Sequence, residues 1–218
     1  MNHCRRYALL LLLYLTSAMS APNWQAANSV VKILAKADAR QQHLGSGVLI
    51  DHDLVVTNCH VTRKATQIQV IKNDQLYRVI SQARLPELDV CVVRTQTRLP
   101  FDTAPLGQAQ VGQTVQLFGY PFALGVRMHE GRLIAAHPYQ NNHILEVDQG
   151  FMQGASGGGV FDQQGRLIGL MTFIGRDERG LHFYAIPSAW IKNALTQPQQ
   201  PLTPFSALSF WEKQAFKP

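Results

Sequence analysis

The sequence predicts an all-β protein with two packed six-stranded antiparallel β-barrels and a C-terminal helix. Short apolar runs recur along the 218 residues, and Gly, Pro, Asn and Asp separate them. About twelve of these runs fall into two groups, which lie on either side of a polar, proline-bearing stretch at 99–106. Hydrophobic residues make up 46% of the chain, so both groups can form a core.

We expect one barrel over about 28–98 and the other over about 107–186. The first group of predicted strands covers 29–34, 45–50, 54–57, 67–71, 77–80 and 89–94. The second group covers 114–119, 131–134, 143–147, 158–161, 167–173 and 182–186. The segment 187–195 is predicted to be the one clear helix, because Ser188 can cap it and Trp190, Ile191 and Leu195 share one face.

The first twenty residues have the pattern of a secretory signal peptide. Arg5 and Arg6 precede an apolar run at 8–15, and small residues at Ala18 and Ser20 suit the positions before a cleavage site. A membrane anchor is the alternative, but the run is short for a span of about 20 residues. We therefore expect cleavage after residue 20, a periplasmic or secreted mature protein, and no stable membrane span after cleavage.

The last segment, 198–218, begins as a proline-rich linker and ends in an amphipathic tail. Leu208, Trp211 and Phe216 would share one face of a short helix over 206–216. The sequence leaves three roles open for this tail, which are docking on the body, binding a partner, or disorder.

Composition argues against several classes of partner. The formal charge is +6, but the lysines and arginines are scattered and no basic run is interleaved with aromatics, so we expect no nucleic-acid binding. No pattern of metal ligands or of a cofactor-binding loop stands out, and neither a metal nor a cofactor is expected. The sequence does not define the oligomeric state.

Three segments carry the residues of acyl-transfer chemistry. They contain His60 in 57–61, Asp89 in 87–90 and Ser156 in 154–158, in that order along the chain. A serine hydroxyl needs a base, for which His60 is the candidate, and Asp89 would orient and stabilise the imidazole. Each segment alone is more often structural, but together they predict a catalytic triad.

The glycine-rich turn around Ser156 predicts an oxyanion hole. Glycines at 154, 157 and 158 permit the positive φ values and close approaches of a tight turn. The hole is assigned to Gly154, Ala155 and Ser156, with the N–H groups of Gly154 and Ser156 as donors to the developing oxyanion.

The mature chain would keep two cysteines, Cys59 and Cys91. Each is close in sequence to a predicted triad residue, His60 or Asp89, so the two thiols are expected to be neighbours. In an oxidising compartment a disulfide between them is possible, and two buried free thiols are the alternative.

These motifs resemble the trypsin-like serine peptidases of chymotrypsin fold, in their HtrA-like branch. The matching segments are 45–48, 57–61, 88–93, 119–121, 154–158, 167–173 and 183–187, and the resemblance covers about 28–196. It implies a serine protease domain over 21–197 with His60, Asp89 and Ser156 as its triad. The branch usually carries PDZ domains, and we expect none in this chain.

The resemblance also bears on the substrate. Gly150 stands six residues before Ser156, where an Asp would select basic residues, so a trypsin-like preference is disfavoured. Phe151 and Ile174 are expected to narrow the primary pocket, which favours a small or medium aliphatic residue before the scissile bond. The strand edge formed by Thr172, Phe173 and Ile174 would bind an extended peptide through its backbone.

The leading hypothesis is thus a serine endopeptidase that cleaves unfolded or flexible proteins. The alternative is a latent or non-cleaving binding module that uses the same strand edge. The loop 121–131 is a candidate for controlling such latency, because it would lie near the nucleophile turn.

Overall fold

A computed structural model describes residues 23–216 except 39, 151–152 and 215. The predicted signal peptide at 1–20 and the predicted pocket residue Phe151 lie outside the described residues. Within the described ranges, the helices are too short or too polar to cross a bilayer.

The first barrel holds the N-terminal half of the chain. Its elements are α1 (Trp24–Ser29), β1 (Val30–Lys36), β2 (Gln42–Asp51), β3 (Leu54–Thr57), α2 (Cys59–Thr62), β4 (Gln67–Lys72), β5 (Gln75–Leu85) and β6 (Val90–Thr95). The strands run in the order β5-β4-β1-β2-β3-β6, and β5 pairs with β6 to close the barrel. All pairings are antiparallel.

The second barrel follows the linker. Its strands are β7 (Thr114–Gly119), β8 (Arg127–Tyr139), β9 (Asn142–Val147), β10 (Gly159–Phe161), β11 (Leu167–Asp177) and β12 (Gly180–Pro187). They close in the order β10-β11-β12-β9-β8-β7. The prediction of two six-stranded antiparallel barrels is therefore confirmed.

Buried side chains form one core within each barrel and a third that joins them. The joining core draws Val48 and Val56 from the first barrel and Phe118 and Phe161 from the second. Because closely packed aromatic and β-branched side chains resist relative movement, this core fixes the cleft between the two barrels.

The helix after the second barrel, α3 (Ser188–Leu195), reaches back to β5 and β6 of the first. Its predicted cap is wrong. The helix begins after Pro187 without a side-chain cap, and Ser188 Oγ instead donates to the Gly107 carbonyl at 2.6 Å. The hydroxyl therefore ties the helix to the inter-barrel linker.

Two short helices were not predicted. α1 has only six residues, and α2 has four. Helices of this length have little intrinsic stability, and tertiary packing holds them, so no periodic pattern marks them in the sequence. In α1 this packing buries Ala26, Ala27 and Ser29.

The C-terminal segment is docked rather than extended into solvent. A two-residue strand, β13 (Gln200–Pro201), pairs with the edge of β5. The chain then passes the end of α2, where the Phe205 N–H donates to the Arg63 carbonyl at 2.9 Å. It ends in turns around Phe210, whose side chain is buried in the joining core.

Candidate active site

The predicted triad residues lie where the two barrels meet. Thr57 at the end of β3 pairs with Cys91 near the start of β6, which brings together the segments that carry His60 and Asp89. Ser156 lies in the turn before β10 of the other barrel. Gly45 joins the two sides, because a Cβ placed on it would lie 2.7 Å from the Val61 side chain and 3.2 Å from the Ser156 carbonyl.

His60 and Asp89 make two hydrogen bonds. The His60 backbone N–H donates to Asp89 Oδ1 at 2.9 Å, and His60 Nδ1 lies 2.7 Å from Asp89 Oδ2. The Asp89 side chain is fully buried, whereas the His60 side chain keeps 20% of its exposure. Because Nδ1 faces a carboxylate, it carries the proton, and Nε2 of the neutral ring is left as the basic nitrogen.

Three nearby charges set the proton affinity of His60. Burial lowers its pKa, but the charge of Asp89 and its hydrogen bond raise it, and Glu212 adds to the rise. Arg63 acts in the opposite direction, and the net pKa of His60 lies above 6.5. An imidazolium formed during a reaction is therefore stabilised at this position.

Asp89 has an unusual backbone conformation. Its φ is 58° and its ψ is 32°, in the left-handed region, directly after a 3₁₀ turn at Pro86–Leu88. Non-glycine residues rarely adopt this conformation, although Asp tolerates it better than most. The turn directs the carboxylate inward, towards the His60 ring.

The turn before β10 has the geometry of a site for a negatively charged oxygen. The Gly154 N–H shares a peptide group with the Gln153 carbonyl, which accepts from the Phe122 N–H at 2.9 Å. The Ser156 N–H shares a peptide group with the Ala155 carbonyl, which accepts from the Gly158 N–H at 2.8 Å. In a trans peptide the N–H points opposite to the C=O, so both N–H directions are fixed. Neither N–H donates to another described residue.

Glycine is required at two positions of this turn. Gly154 has φ +92° and Gly157 has φ +82°, and side chains are disfavoured at both values. A Cβ on Gly157 would lie 2.3 Å from the Ser46 carbonyl and 2.4 Å from Thr57 Oγ1. The nucleophile turn therefore presses its backbone directly against β2 and β3 of the other barrel.

Sequence reasoning did not identify Ser46 as a residue that holds this turn. Its hydroxyl is fully buried, donates to the Gly154 carbonyl at 2.9 Å and accepts from the Tyr120 N–H at 2.9 Å. Its backbone N–H donates to the Ser156 carbonyl at 2.8 Å. Ser46 lies within the glycine-flanked segment 45–48, but nothing local in that motif indicates its partners.

The Ser156 hydroxyl bonds to a backbone carbonyl rather than to the imidazole. Oγ donates to the Thr172 carbonyl at 3.5 Å, and no hydrogen bond joins it to His60 within the described part of the chain. A contact of 3.5 Å is weak, and the hydroxyl can rotate about χ1.

Cys59 and Cys91 are joined by a disulfide with a Cα–Cα separation of 4.8 Å. Cys59 opens α2 immediately before His60, and Cys91 lies two residues after Asp89. The cross-link therefore connects the backbones that carry these two residues.

The space next to Gly150 contains an aromatic ring that sequence reasoning missed. A Cβ on Gly150 would lie 2.9 Å from the Phe183 ring. Phe183 on β12 also pairs with Ile174 on β11, so it lies beside two of the predicted pocket residues. Ile174 itself is 46% exposed.

The predicted peptide-binding edge is part of β11. Phe173 and Ile174 pair with β12 on one side, and β10 pairs only as far as Leu170 on the other. The buried Thr172 hydroxyl donates to the Leu170 carbonyl at 2.9 Å and accepts from the Asn58 side chain at 3.2 Å.

Trp211 of the C-terminal tail also reaches this site. Its indole Nε1 donates to Asp89 Oδ2 at 3.0 Å, and its ring contacts both His60 and Phe173. Sequence reasoning gave the tail no role at the triad, because 122 residues separate the two partners. In the described part of the chain, no group of three or more His, Cys, Asp or Glu side chains is arranged to hold a metal ion.

Two closed barrels with a His–Asp pair on one and a glycine-rich serine turn on the other define the chymotrypsin-fold class of serine peptidases. A family model described as the trypsin-like peptidase domain matches residues 45–170, more than half of the chain. The chain therefore belongs to the trypsin-like peptidase domain family.

Curated relatives include HtrA-type proteases. The chain is 31% identical over 169 residues to the periplasmic serine endoprotease DegP of Escherichia coli, covering 71% of this chain and 35% of that protein. It is 30% identical over 164 residues to the mitochondrial serine protease HTRA2 of Bos taurus, covering 69% of this chain and 35% of that protein. The chain thus spans about a third of the length of these relatives.

Solved structures show the same fold. The active form of the Rv3671c protease of M. tuberculosis superposes with a TM-score of 0.75 at 20% identity, covering 88% of this chain and 91% of that chain. A serine endoprotease from Yersinia pestis superposes with a TM-score of 0.67 at 27% identity, covering 78% of this chain and 63% of that one.

Proposed function

We propose that this protein is a serine endopeptidase that hydrolyses peptide bonds through His60, Asp89 and Ser156. The observation that carries the proposal is the pair of N–H groups on Gly154 and Ser156, which donate to no other described residue. The carbonyls of the same two peptide groups accept hydrogen bonds, which fixes the direction of both N–H groups. Both groups lie in the same turn as the candidate nucleophile. Family membership and the bonded His60–Asp89 pair support it.

In the proposed reaction, Ser156 Oγ rotates towards His60 and attacks the carbonyl carbon of the scissile bond. His60 Nε2 takes the hydroxyl proton, and the carbonyl oxygen becomes an oxyanion that accepts from the Gly154 and Ser156 N–H groups. The C–N bond then breaks as His60 returns the proton to the leaving amine, which leaves an acyl-enzyme for water to hydrolyse. Each oxyanion donor typically contributes about 2.7–4 kcal/mol to transition-state stabilisation.

Asp89 keeps the imidazole in the productive tautomer. Its Oδ2 faces Nδ1, so the proton stays on Nδ1 and Nε2 is available as the base. The disulfide supports the same geometry, because it links the residue before His60 to β6.

The pocket favours small or medium aliphatic residues before the scissile bond. The Phe183 ring lies against Gly150, where a deep pocket would need open space. No acidic side chain stands at position 150 to bind a basic residue. A long or charged side chain would clash with the ring or lose its hydration, which costs binding energy.

The substrate is proposed to be an extended protein segment. The edge at Thr172–Ile174 offers backbone groups to which a peptide can add as a further strand. Folded proteins rarely expose such a strand, so unfolded or flexible segments fit best.

We place the mature protein in the periplasm or outside the cell. The predicted signal peptide at 1–20 supports export, as do the cysteines that pair next to the site. The DegP relative is named as periplasmic, in agreement with this location.

A latent state is the second candidate. It is favoured by the Ser156 hydroxyl, which donates to the Thr172 carbonyl instead of to His60. The loop that begins at Pro121 holds the nucleophile turn through the Phe122 N–H, so a movement of this loop would alter the oxyanion site.

A fluorophosphonate probe tests the proposal, since it reacts only with a serine that has a base and an oxyanion site. The mature protein should be labelled, and Ser156→Ala and His60→Ala should abolish labelling while thermal unfolding stays cooperative. A folded protein without labelling would support the latent state. A peptide library then tests specificity, and preferential cleavage after Arg or Lys would refute the proposed pocket.

A further inference from the structure

The C-terminal tail brings a tryptophan into contact with the carboxylate of the proposed triad. Trp211 Nε1 donates to Asp89 Oδ2 at 3.0 Å. The same oxygen faces His60 Nδ1 at 2.7 Å, so the indole and the imidazole share one acceptor. The other carboxylate oxygen, Oδ1, accepts from the His60 backbone N–H at 2.9 Å.

A fully buried carboxylate needs these donors. Removing charge from water is costly unless hydrogen bonds replace the lost hydration. Trp211 supplies one of the three donors that reach the Asp89 carboxylate from the described side chains and backbone. The nearby Thr172 hydroxyl is not a substitute, because it donates to the Leu170 carbonyl.

The indole also fixes the position of the imidazole. The His60 and Trp211 rings meet edge to face, with centroids 5.4 Å apart and planes at 88°. On its other side, Trp211 stacks on Phe173 at 5.4 Å and 9°, and Phe173 in turn stacks on Tyr184 at 4.8 Å. Trp211 therefore connects His60 to the aromatic side chains of β11 and β12 in the second barrel.

Several contacts hold this part of the tail in place. Arg63, just after α2, donates to both carboxylate oxygens of Glu212 at 2.8 and 2.7 Å. Ser209 donates to the same carboxylate from its N–H at 3.0 Å and from its hydroxyl at 2.8 Å. The Phe210 N–H donates to the Glu87 carbonyl at 3.0 Å, and the Phe210 ring is buried.

The tail does not take the place of a substrate strand. In the described part of the chain, none of its backbone groups bonds to Thr172, Phe173 or Ile174. Of the described tail residues, Phe210, Trp211 and Phe216 contact the Phe173 ring, and they do so through their side chains. This geometry argues for a supporting role rather than for self-inhibition by a bound tail.

We propose that Trp211 is a positioning residue of the active site, which holds Asp89 through its indole N–H and His60 through ring packing. The C-terminal segment 209–212 is then a third part of the catalytic unit, beside the two barrels. This inference rests on the proposed peptidase function, and its test separates the two.

The test is Trp211→Phe, which keeps an aromatic ring on Phe173 but removes the donor. Trp24→Phe is the matched control, because Trp24 is 58% exposed on α1. The rate constant of fluorophosphonate labelling should fall about tenfold in Trp211→Phe, since hydrogen bonds to charged groups have effects of this size. The control should keep the wild-type rate and unfolding temperature. Trp211→Phe should unfold at a lower temperature, because a buried carboxylate loses a donor, so its rate is measured where it is still folded.

A second readout does not depend on activity. The charged groups that act on His60 are Asp89, Glu212 and Arg63, and all three remain in the variant. With one donor fewer, the Asp89 carboxylate acts more strongly on the imidazole, so the pKa of His60 should rise. NMR titration of the His60 ring measures this shift in the Ser156→Ala background, with and without Trp211→Phe.

The outcomes separate the two proposals. An upward shift of the His60 titration supports the positioning role even if the wild-type protein is never labelled, in which case only the peptidase proposal fails. An unchanged titration would overturn the positioning role. So would an increase in the labelling rate of Trp211→Phe, because it would mean that the tail obstructs the site.

Discussion

The hydroxyl of Ser46 holds the nucleophile turn across the junction between the barrels, and Ser46→Ala removes it with little change in shape. The substitution deletes a donor to the Gly154 carbonyl and an acceptor for the Tyr120 N–H, both at 2.9 Å. The backbone bond from the Ser46 N–H to the Ser156 carbonyl stays, so the turn remains attached at one point.

The size of the expected loss of stability in Ser46→Ala follows from the burial of this side chain. Ser46 is fully buried, and the single atom that is lost leaves too little space for a water molecule. Each buried group left without a partner costs about 1–3 kcal/mol, so the free energy of unfolding should fall by about 2–4 kcal/mol if the turn relaxes partly. For a domain of this size the melting temperature should then fall by about 4–16 °C.

Activity should fall as well, because the Gly154 carbonyl lies in the same turn, between the two proposed oxyanion donors. We expect the fluorophosphonate labelling rate to decrease at a temperature where the variant is still folded. Ser206→Ala is the control, since its side chain makes no hydrogen bond to another described residue. Equal melting temperatures and equal labelling rates for wild type and Ser46→Ala would refute the role of this hydroxyl.

Three further predictions concern the disulfide, the pocket and a charged cluster. The Cys59–Cys91 bond spans 32 positions, and its reduction should lower the free energy of unfolding by about 3–4 kcal/mol. Denaturant titrations with and without reductant measure this change, and equal midpoints would contradict it. Phe183→Ala should shift cleavage in a peptide library towards larger residues before the scissile bond, and an unchanged profile would show that the ring does not limit the pocket. The ring N–H groups of His182 donate to the carboxylates of Glu146 and Asp177, which raises the pKa of His182 above its usual value of 6.5. The stabilising effect of His182 is therefore complete below pH 6.5 and is lost as the pH rises through the raised pKa. The difference in melting temperature between wild type and His182→Gln should therefore be largest below about pH 6.5 and shrink as the pH is raised, and a constant difference would exclude this linkage.

The two-barrel fold follows from local patterns. Alternating apolar runs and turn residues mark strands within a few neighbouring positions, and six strands on each side of the linker are enough to predict two closed barrels. The segments around His60, Asp89 and Ser156 predict the candidate site from local sequence as well, because acyl-transfer chemistry requires particular residue types within a few positions. The short helix α1 was missed for the opposite reason, since packing against the body rather than its own sequence stabilises it.

The supporting residues of the site depend on contacts that no local pattern records. Ser46 appeared as one residue of a glycine-flanked segment, and its partner Gly154 is 108 positions away. Phe183 fills space beside Gly150 only because β12 pairs with β11 in one register. Trp211 was recognised as part of an amphipathic tail, but the surface that it covers could not be derived from periodicity.

These long-range contacts make the site a property of the assembled molecule. Ser46 joins the first barrel to Gly154 and Tyr120 of the second, Asn58 reaches Thr172 across 114 positions, and Trp211 reaches Asp89 across 122. Each barrel alone would leave buried polar groups of the site without partners, which is unfavourable. Docking of the barrels and of the tail therefore stabilises the same hydrogen bonds that orient His60 and the oxyanion donors. A mutation that loosens either junction should reduce reactivity before it unfolds the protein, because the geometry of the site tolerates less displacement than the cores do.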